Sequence, residues 1–362
     1  MTEVHRFPFA DSAALQTLRD GFERDGFVIV DGIFVSPDEI EELKTAAADV
    51  VQLTRDGQWP HRRVVGKQFP PFDQVTQDYW GVQHLMSPSL PHSALFTAFY
   101  GSRVLDVSSA LLSVPVQDMQ LELFNLLINP TQHAFALGWH RDDIKPGIDT
   151  EDERRVLMAD QARAGAAKDG GGIQWNAALY DDACLFVVPG THRRVRTERE
   201  RVANATPPPA PTPIPQGRDL SAVEREALDG TWDIDPPTTR RVILKAGQSA
   251  FYSQRILHRA SYLPNQTRAT LHGCYGESGT EPTSDVSAKQ SETTPISPGS
   301  ESTSETSVGE QRAQNVLQHG VEWMKDPAFG ASLPDRLRPM WENLLRMERQ
   351  WAGKNLGFSL DN

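Results

Sequence analysis

Apolar residues recur at helical spacing through Leu15, Leu18 and Phe22 and stop at Gly26. Phe27-Val28-Ile29-Val30 then runs uninterrupted, so the chain opens with a helix feeding a buried strand. In Val35-Ser36-Pro37-Asp38-Glu39-Ile40, Ser36 suits an N-cap, Pro37 the first helical position and Glu39 the closing of a capping box. Val35 can staple onto Ile40, and the pattern predicts a helix over about 37–55. Between His61 and Trp80 prolines and aromatics cluster without a period, which reads as a loop or short strands of the kind that borders pockets. Helical spacing returns from Pro91 to Leu112 through Ala94, Leu95, Ala98, Leu105 and Leu111.

From Val114 the pattern changes to short apolar segments parted by turns: Gln120–Ile128, Phe135–His140, Ile173–Leu179, Cys184–Val188, Val242–Leu244, Ser249–Ile256 and Thr270–Tyr275. A helical start followed by many short strands predicts a mainly β fold, a sandwich or jelly roll with helices flanking it. Two tracts interrupt the pattern. Residues 207–215 hold six prolines in nine positions and predict an extended surface insertion over about 203–218. Residues 278–308 hold 15 Ser or Thr in 31 positions and no Leu, Phe, Tyr or Trp, too little apolar surface to offset the entropy of ordering. Apolar spacing resumes through Trp323, Met324, Leu333, Leu337, Trp341, Leu344, Leu345 and Trp351 as one or two helices. The organisation predicted is a single domain over 1–277 and 309–362, its β core at about 114–277 and packing helices at both ends.

Composition narrows the class. The 362 residues are 38% hydrophobic and 23% charged, a globular balance. A formal charge of −12 argues against a general grip on nucleic acid or anionic lipid. With only Cys184 and Cys274, no disulfide framework holds so large a chain. No apolar run reaches the roughly 18 residues that span a bilayer. Neither a secretory leader nor a Ser-Lys-Leu ending is present, so the compartment expected is the cytoplasm. The partner expected is a small molecule, acted on by a monomer or homodimer.

Ten histidines are the place to search for a metal site. His140-Arg141-Asp142 follows a predicted strand, and in extended backbone positions i and i+2 reach one side while Arg141 faces away. The same triplet serves equally well as a loop salt bridge. His258 ends the apolar run that begins at Ser249 and is a candidate third ligand, or a core histidine satisfied by a carbonyl. Two imidazoles and one carboxylate on one face of an ion leave positions open, the arrangement of non-heme Fe(II) oxygenases. Arg268, ten residues past His258, is a candidate to pair with a carboxylate in bidentate fashion, or a strand-edge charge.

Taken together these elements resemble the phytanoyl-CoA dioxygenase-like branch of the Fe(II)/2-oxoglutarate-dependent oxygenases. Asp25-Gly26-Phe27-Val28-Ile29-Val30 is similar to the family's opening strand, and Gly138-Trp139-His140-Arg141-Asp142 to its first ligand element. Gln174–Leu179 with Ala183–His192 is similar to its strand and Pro-Gly turn, and Ala246-Gly247-Gln248, His258, Asn265 and Arg268 to its closing block. The resemblance implies a double-stranded β-helix (jelly-roll, cupin-like) core in which His140, Asp142 and His258 hold Fe(II) and Arg268 pairs with the distal carboxylate of 2-oxoglutarate, O2 being the oxidant. It implies cosubstrate-pocket roles for Trp175, Gln120 and Asn125. Asp142 stands where halogenating relatives carry a small residue, which argues against halogenation, and the missing peroxisomal address argues against an acyl-CoA substrate.

The activity implied is oxidation of an unactivated C–H bond, by hydroxylation, desaturation or cyclisation, in specialised metabolism. Two alternatives are a metal-dependent enzyme of the same fold that does not use 2-oxoglutarate, and a non-catalytic binding protein. Lys67, Phe72 and Arg255 are the candidate substrate contacts. Arg63 and Phe69 lie in the same irregular segment as Lys67 and Phe72, and any inward-facing cation there would suit an acidic substrate. Asp143 points with Arg141, so its replacement is expected to matter little.

Overall fold

Asp11 caps the first helix, its side chain accepting from the Ala14 N–H, and the helix stops where Gly26 takes a left-handed φ of 79°. Any Cβ at Gly26 would collide with the His192 ring, so conformation and packing both require glycine there. The computed structural model describes residues 3–65, 78–161, 171–208, 232–264, 266–278, 308–319, 321–354 and 356. Lys67, Phe69, Phe72, Asn265 and most of the two insertions (209–218 and 279–307) lie outside them.

Helices are α1 (Ser12–Asp25), α2 (Pro37–Arg55), α3 (Ser93–Tyr100), α4 (Arg103–Leu112), α5 (Thr150–Gln161), α6 (Glu198–Ala205), α7 (Val308–Leu317), α8 (Pro327–Ser332) and α9 (Arg338–Trp351). Strands are β1 (Val4–Arg6), β2 (Phe27–Asp31), β3 (Arg62–Val64), β4 (Tyr79–Val82), β5 (Met119–Gln120), β6 (Phe124–Ile128), β7 (Phe135–His140), β8 (Gly172–Ala178), β9 (Leu185–Val188), β10 (Arg240–Arg241), β11 (Ser249–Ser253), β12 (Leu257–Tyr262) and β13 (Ala269–Glu277). The major sheet runs β1-β2-β11-β8-β13-β6-β4-β3 with β5 beside β13, and the minor sheet runs β10-β9-β12-β7. They form a sandwich of the double-stranded β-helix type. Among the described residues no strand pair joins the sheets, so they do not close into a barrel.

Alternation along the strands sorts the core. Trp175, Ala177, Phe251, Leu271 and Tyr275 face the helices, where they pack with Leu18, Phe22, Phe99 and Leu344. Ala178, Ala250, Leu185 and Val187 close one end of the space between the sheets, and Leu127, Ala260 and Tyr262 help close another. The far face of the minor sheet is covered by Ala203 of α6 against Trp139, Phe186 and Leu257. Ala203 is thus core, and the proline-rich insertion begins beyond it. No helix among the described residues is long and apolar enough to cross a membrane.

Several boundaries differ from the sequence reading, each for a local reason. The segment 91–112 is two helices, broken at Gly101 where a Cβ would press on Leu337. Gln120–Ile128 is interrupted: Glu122 donates its N–H to the Tyr100 hydroxyl and turns its carboxylate onto Arg312. In place of a strand at Val242–Leu244 there is the short β10 and one isolated bridge from Leu244 to Asp182. Ser36 caps α2, but Glu39 accepts from Val35 N–H and Val35 stays exposed, so box and staple are not formed as expected. The run from Ser249 to His258 is two strands in different sheets. The chain turns between them on Ser253, whose hydroxyl accepts from Arg255 N–H and whose carbonyl accepts from Ile256 N–H.

Candidate metal centre

The two histidines arrive on facing positions of the minor sheet, His258 opposite His140. Their alignment needs an extra residue: Ala260 to His258 on β12 is matched by Leu137 to His140 on β7, a β-bulge. Phe135 and Leu137 face the other sheet, Trp139 faces away, and His140 returns inward to sit 4.2 Å from the His258 ring, centroid to centroid. The bulge also turns the Gly138 carbonyl onto His140, which donates from Nδ1 at 2.7 Å. His258 Nδ1 donates likewise to the Ile256 carbonyl at 2.9 Å. Both tautomers are thereby set with Nε2 left for an ion.

Asp142 completes the group: Oδ1 lies 3.7 Å from His140 Nε2 and Oδ2 3.5 Å from His258 Nε2, and all three ligand atoms fall within 4.8 Å of one another. The Asp142 N–H donates to the Gln254 carbonyl, and Gln174 Nε2 donates to Oδ2. Burial pushes the Asp142 carboxyl up, but His258, His140 and the Gln174 bond outweigh it, so the group is held below its ordinary range. Burial, with His140 beside it, brings His258 down to about 4, so it is neutral and able to ligate at neutral pH. Arg141 points away, Nη1 donating to Glu153 at 2.9 Å and Nη2 to the Thr191 and Arg194 carbonyls. Two imidazoles and one carboxylate on one face suit a divalent iron.

These ligands open on a cavity of about 350 Å³ between the sheets, and Arg268 lines the same cavity. Its Nε donates to Asp182 at 2.7 Å, Tyr262 lies under the guanidinium, and Nη1 is buried without a hydrogen-bond partner. Burial works against the charge, yet the adjacent Asp182 carboxylate holds the guanidinium firmly protonated. An anchored guanidinium with one orphaned donor, on a residue that lines this cavity, fits a carboxylate.

The other candidates fall elsewhere. Trp175 is fully buried on the helix side of β8, against Phe99, Tyr100, Phe124 and Tyr275, with Gly273 giving its ring room. Its neighbours Gln174 and Asn176 face the cavity instead. Gln120 is buried at the sheet edge beside Glu122, and Asn125 Oδ1 accepts from the His84 N–H; neither lines the cavity. Arg255 is locked onto Asp143 at 2.6 Å, away from the cavity. Asp143 is correspondingly half of a buried ion pair, not a bystander. The sequence reading missed His272, whose Nδ1 meets Asn176 Oδ1 at 2.9 Å, together with Tyr252 and the α7 end residues Asn315, Gln318 and His319. Period-two alternation about Trp175 would have found Gln174 and Asn176. Nothing local marks α7, which is brought in by Arg312 bonding Glu122 and Gln254.

Among solved structures, AviO1 from Streptomyces viridochromogenes Tue57 is 17% identical over 74% of this chain and 96% of its own, with a TM-score of 0.45. EctD from S. alaskensis with 2-oxoglutarate and 5-hydroxyectoine is 16% identical over 72% and 75%, with a TM-score of 0.45. The epimerase SnoN in complex with Fe3+, alpha ketoglutarate and nogalamycin RO is 17% identical over 80% and 95%, with a TM-score of 0.43. No curated protein sequence matches the chain. The family model for phytanoyl-CoA dioxygenase (PhyH) matches residues 22–270, a span that holds His140, Asp142, His258 and Arg268. The chain, with its two-histidine, one-aspartate centre, belongs to the phytanoyl-CoA dioxygenase (PhyH) family.

Proposed function

We propose that this protein is an Fe(II)/2-oxoglutarate-dependent oxygenase that oxidises an unactivated C–H bond of a small molecule, by hydroxylation, desaturation or oxidative cyclisation, in specialised metabolism. The observation that carries this reading is Arg268: anchored on Asp182, with an orphaned Nη1, in the cavity onto which the triad opens. That donor is where the distal carboxylate of a dicarboxylate cosubstrate would bind.

His140, Asp142 and His258 would hold the iron on one face, leaving its cavity side open. When bound, iron, 2-oxoglutarate and O2 together supply an oxidant able to break an aliphatic C–H bond. The chain's own residues hold, orient and exclude. Gln174 fixes the Asp142 carboxylate, and the Gly138 and Ile256 carbonyls fix the two imidazoles. Arg268 binds the distal carboxylate through Nη1, and Asp182, braced by Thr270, keeps that guanidinium in place. Leu127, Leu137 and Tyr262 keep water from the reacting centre.

The test is anaerobic addition of Fe(II) and then 2-oxoglutarate to metal-free protein, followed by visible absorption. A weak charge-transfer band that forms in wild type and fades in Arg268→Ala is the expected result. Iron bound without a band would favour a metalloenzyme that does not use 2-oxoglutarate. Asp142→Ala is expected to abolish iron-dependent turnover with the far-UV spectrum unchanged, and retained turnover would remove the metal assignment.

A further inference from the structure

Seven arginines of the described residues are buried, and six of them have an acid. Arg141 and Arg196 share Glu153, Arg255 has Asp143, Arg259 has Asp235, Arg268 has Asp182 and Arg312 has Glu122. Arg63 of β3 is the seventh. It is 6% exposed, its Nε is buried without a hydrogen-bond partner, and no carboxylate among the described residues pairs with it. Its guanidinium lies 4.9 Å from the centre of the Trp80 ring, and the residue lines the same cavity as the triad. A ring face offsets only part of the desolvation of a cation. A buried, uncompensated charge persists where something outside the fold completes it.

We propose that Arg63 anchors a carboxylate on the substrate itself, which makes the substrate an organic anion with an apolar body. This rests on the oxygenase reading above for the identity of the cavity. Arg268 already serves one anion from its Asp182 anchor, so Arg63 is a second, separate position. The guanidinium fork matches the two oxygens of a carboxylate. The apolar body follows from the cavity wall, where Leu127, Leu137 and Tyr262 cluster with the ring that Arg63 covers and Leu123 adds to the lining. In the sequence Arg63 is one cation among several in an irregular segment. Pairing of Arg63 with Gly81 across β3 and β4 turns it inward.

The probes are 3-phenylpropanoate and its neutral counterpart 3-phenylpropanamide, titrated by calorimetry into the full chain loaded with Zn(II) and 2-oxoglutarate at constant ionic strength. Wild type is expected to bind the acid at least about tenfold more tightly than the amide, the scale of one charge-assisted bond, and Arg63→Met to bind the two equally. The unfolding midpoint of metal-free Arg63→Met is expected to rise above wild type, because a buried charge with no acid partner among the described residues has been removed.

Equal binding of the two probes by wild type, including no binding of either, overturns the proposal. So does a preference for the acid that survives in Arg63→Met, or a midpoint that falls by several degrees in that variant, which would show a structural partner. 2-Oxoglutarate binding is measured first in both proteins: a loss in Arg63→Met would assign Arg63 to the cosubstrate and overturn the proposal. Failure of 2-oxoglutarate to bind wild type would instead sink the oxygenase reading, and the acid-over-amide contrast, repeated without it, still decides Arg63.

Discussion

At Asp143 two neighbouring carboxylates divide their work. Asp142 turns to the cavity and is held by Gln174, whereas Asp143 turns back and is buried against Arg255. Arg255 also reaches the Val156 carbonyl of α5, so the pair ties the ligand loop, the turn before His258 and a helix together. Asp143→Ala strands a buried guanidinium, and removing one partner of such a pair costs about 3–5 kcal/mol. The variant is therefore expected to lower the urea midpoint sharply while Asp142→Ala does not, the reverse of what their spacing in the sequence suggests. Equal midpoints for Asp143→Ala and wild type in urea denaturation would show that Arg255 finds another acceptor.

At the scale of elements, what was legible in the sequence was whatever rests on period and punctuation. Leu15, Leu18 and Phe22 with Gly26 gave α1, and Phe135–His140 gave β7 with its bounds. Illegible were turns made by side chains distant in sequence. The turn between β11 and β12 contains Ser253-Gln254-Arg255 and no Gly or Pro, and it is held in part by Asp143, 112 residues earlier. Trp175 shows the other failure. A motif resemblance placed it in the pocket, whereas alternation on a strand buried on both faces puts the large apolar side chain in the core and its polar neighbours at the site. The β7 bulge was equally invisible, and it carries its own prediction. Deleting Gly138 restores regular alternation and keeps His140 facing inward, but removes the carbonyl that His140 Nδ1 uses. Loss of such a support to a metal ligand weakens affinity by about 10–100-fold. Zn(II) titration of that deletion is expected to fall in this range with strand content intact, and wild-type affinity would mean that another acceptor replaces the carbonyl.

For the whole molecule, the uneven placement of histidines sets an acid limit on stability. His84, His272 and His319 all sit at or near the cavity, and burial lowers them to about 3, about 3 and about 4. His84 is also lowered by the nearby His61, and its Nδ1 accepts from Trp323 Nε1 at 3.2 Å, a bond that protonation would break. In the unfolded chain each returns to its ordinary value near 6.5. Between about pH 4 and 6.5 the unfolded chain therefore binds protons that the folded one refuses, and stability rises with pH through that window. His258, also held near 4 when no metal is bound, adds a fourth, so this stability is fully present above about 6.5 and is lost as pH falls, by up to about 5 kcal/mol per pH unit for four histidines. Against a total of about 5–15 kcal/mol, the metal-free protein is expected to unfold at room temperature near pH 5, before most carboxylates protonate. His84 offers the control, because it holds a left-handed φ of 63° that asparagine tolerates. His84→Asn loses the Trp323 bond and so starts less stable at pH 8, yet its stability is expected to fall about one quarter less steeply between pH 6.5 and 5. A slope equal to wild type, measured by urea unfolding at each pH, would show that His84 takes up its proton in the folded state and that the acid limit lies with other groups.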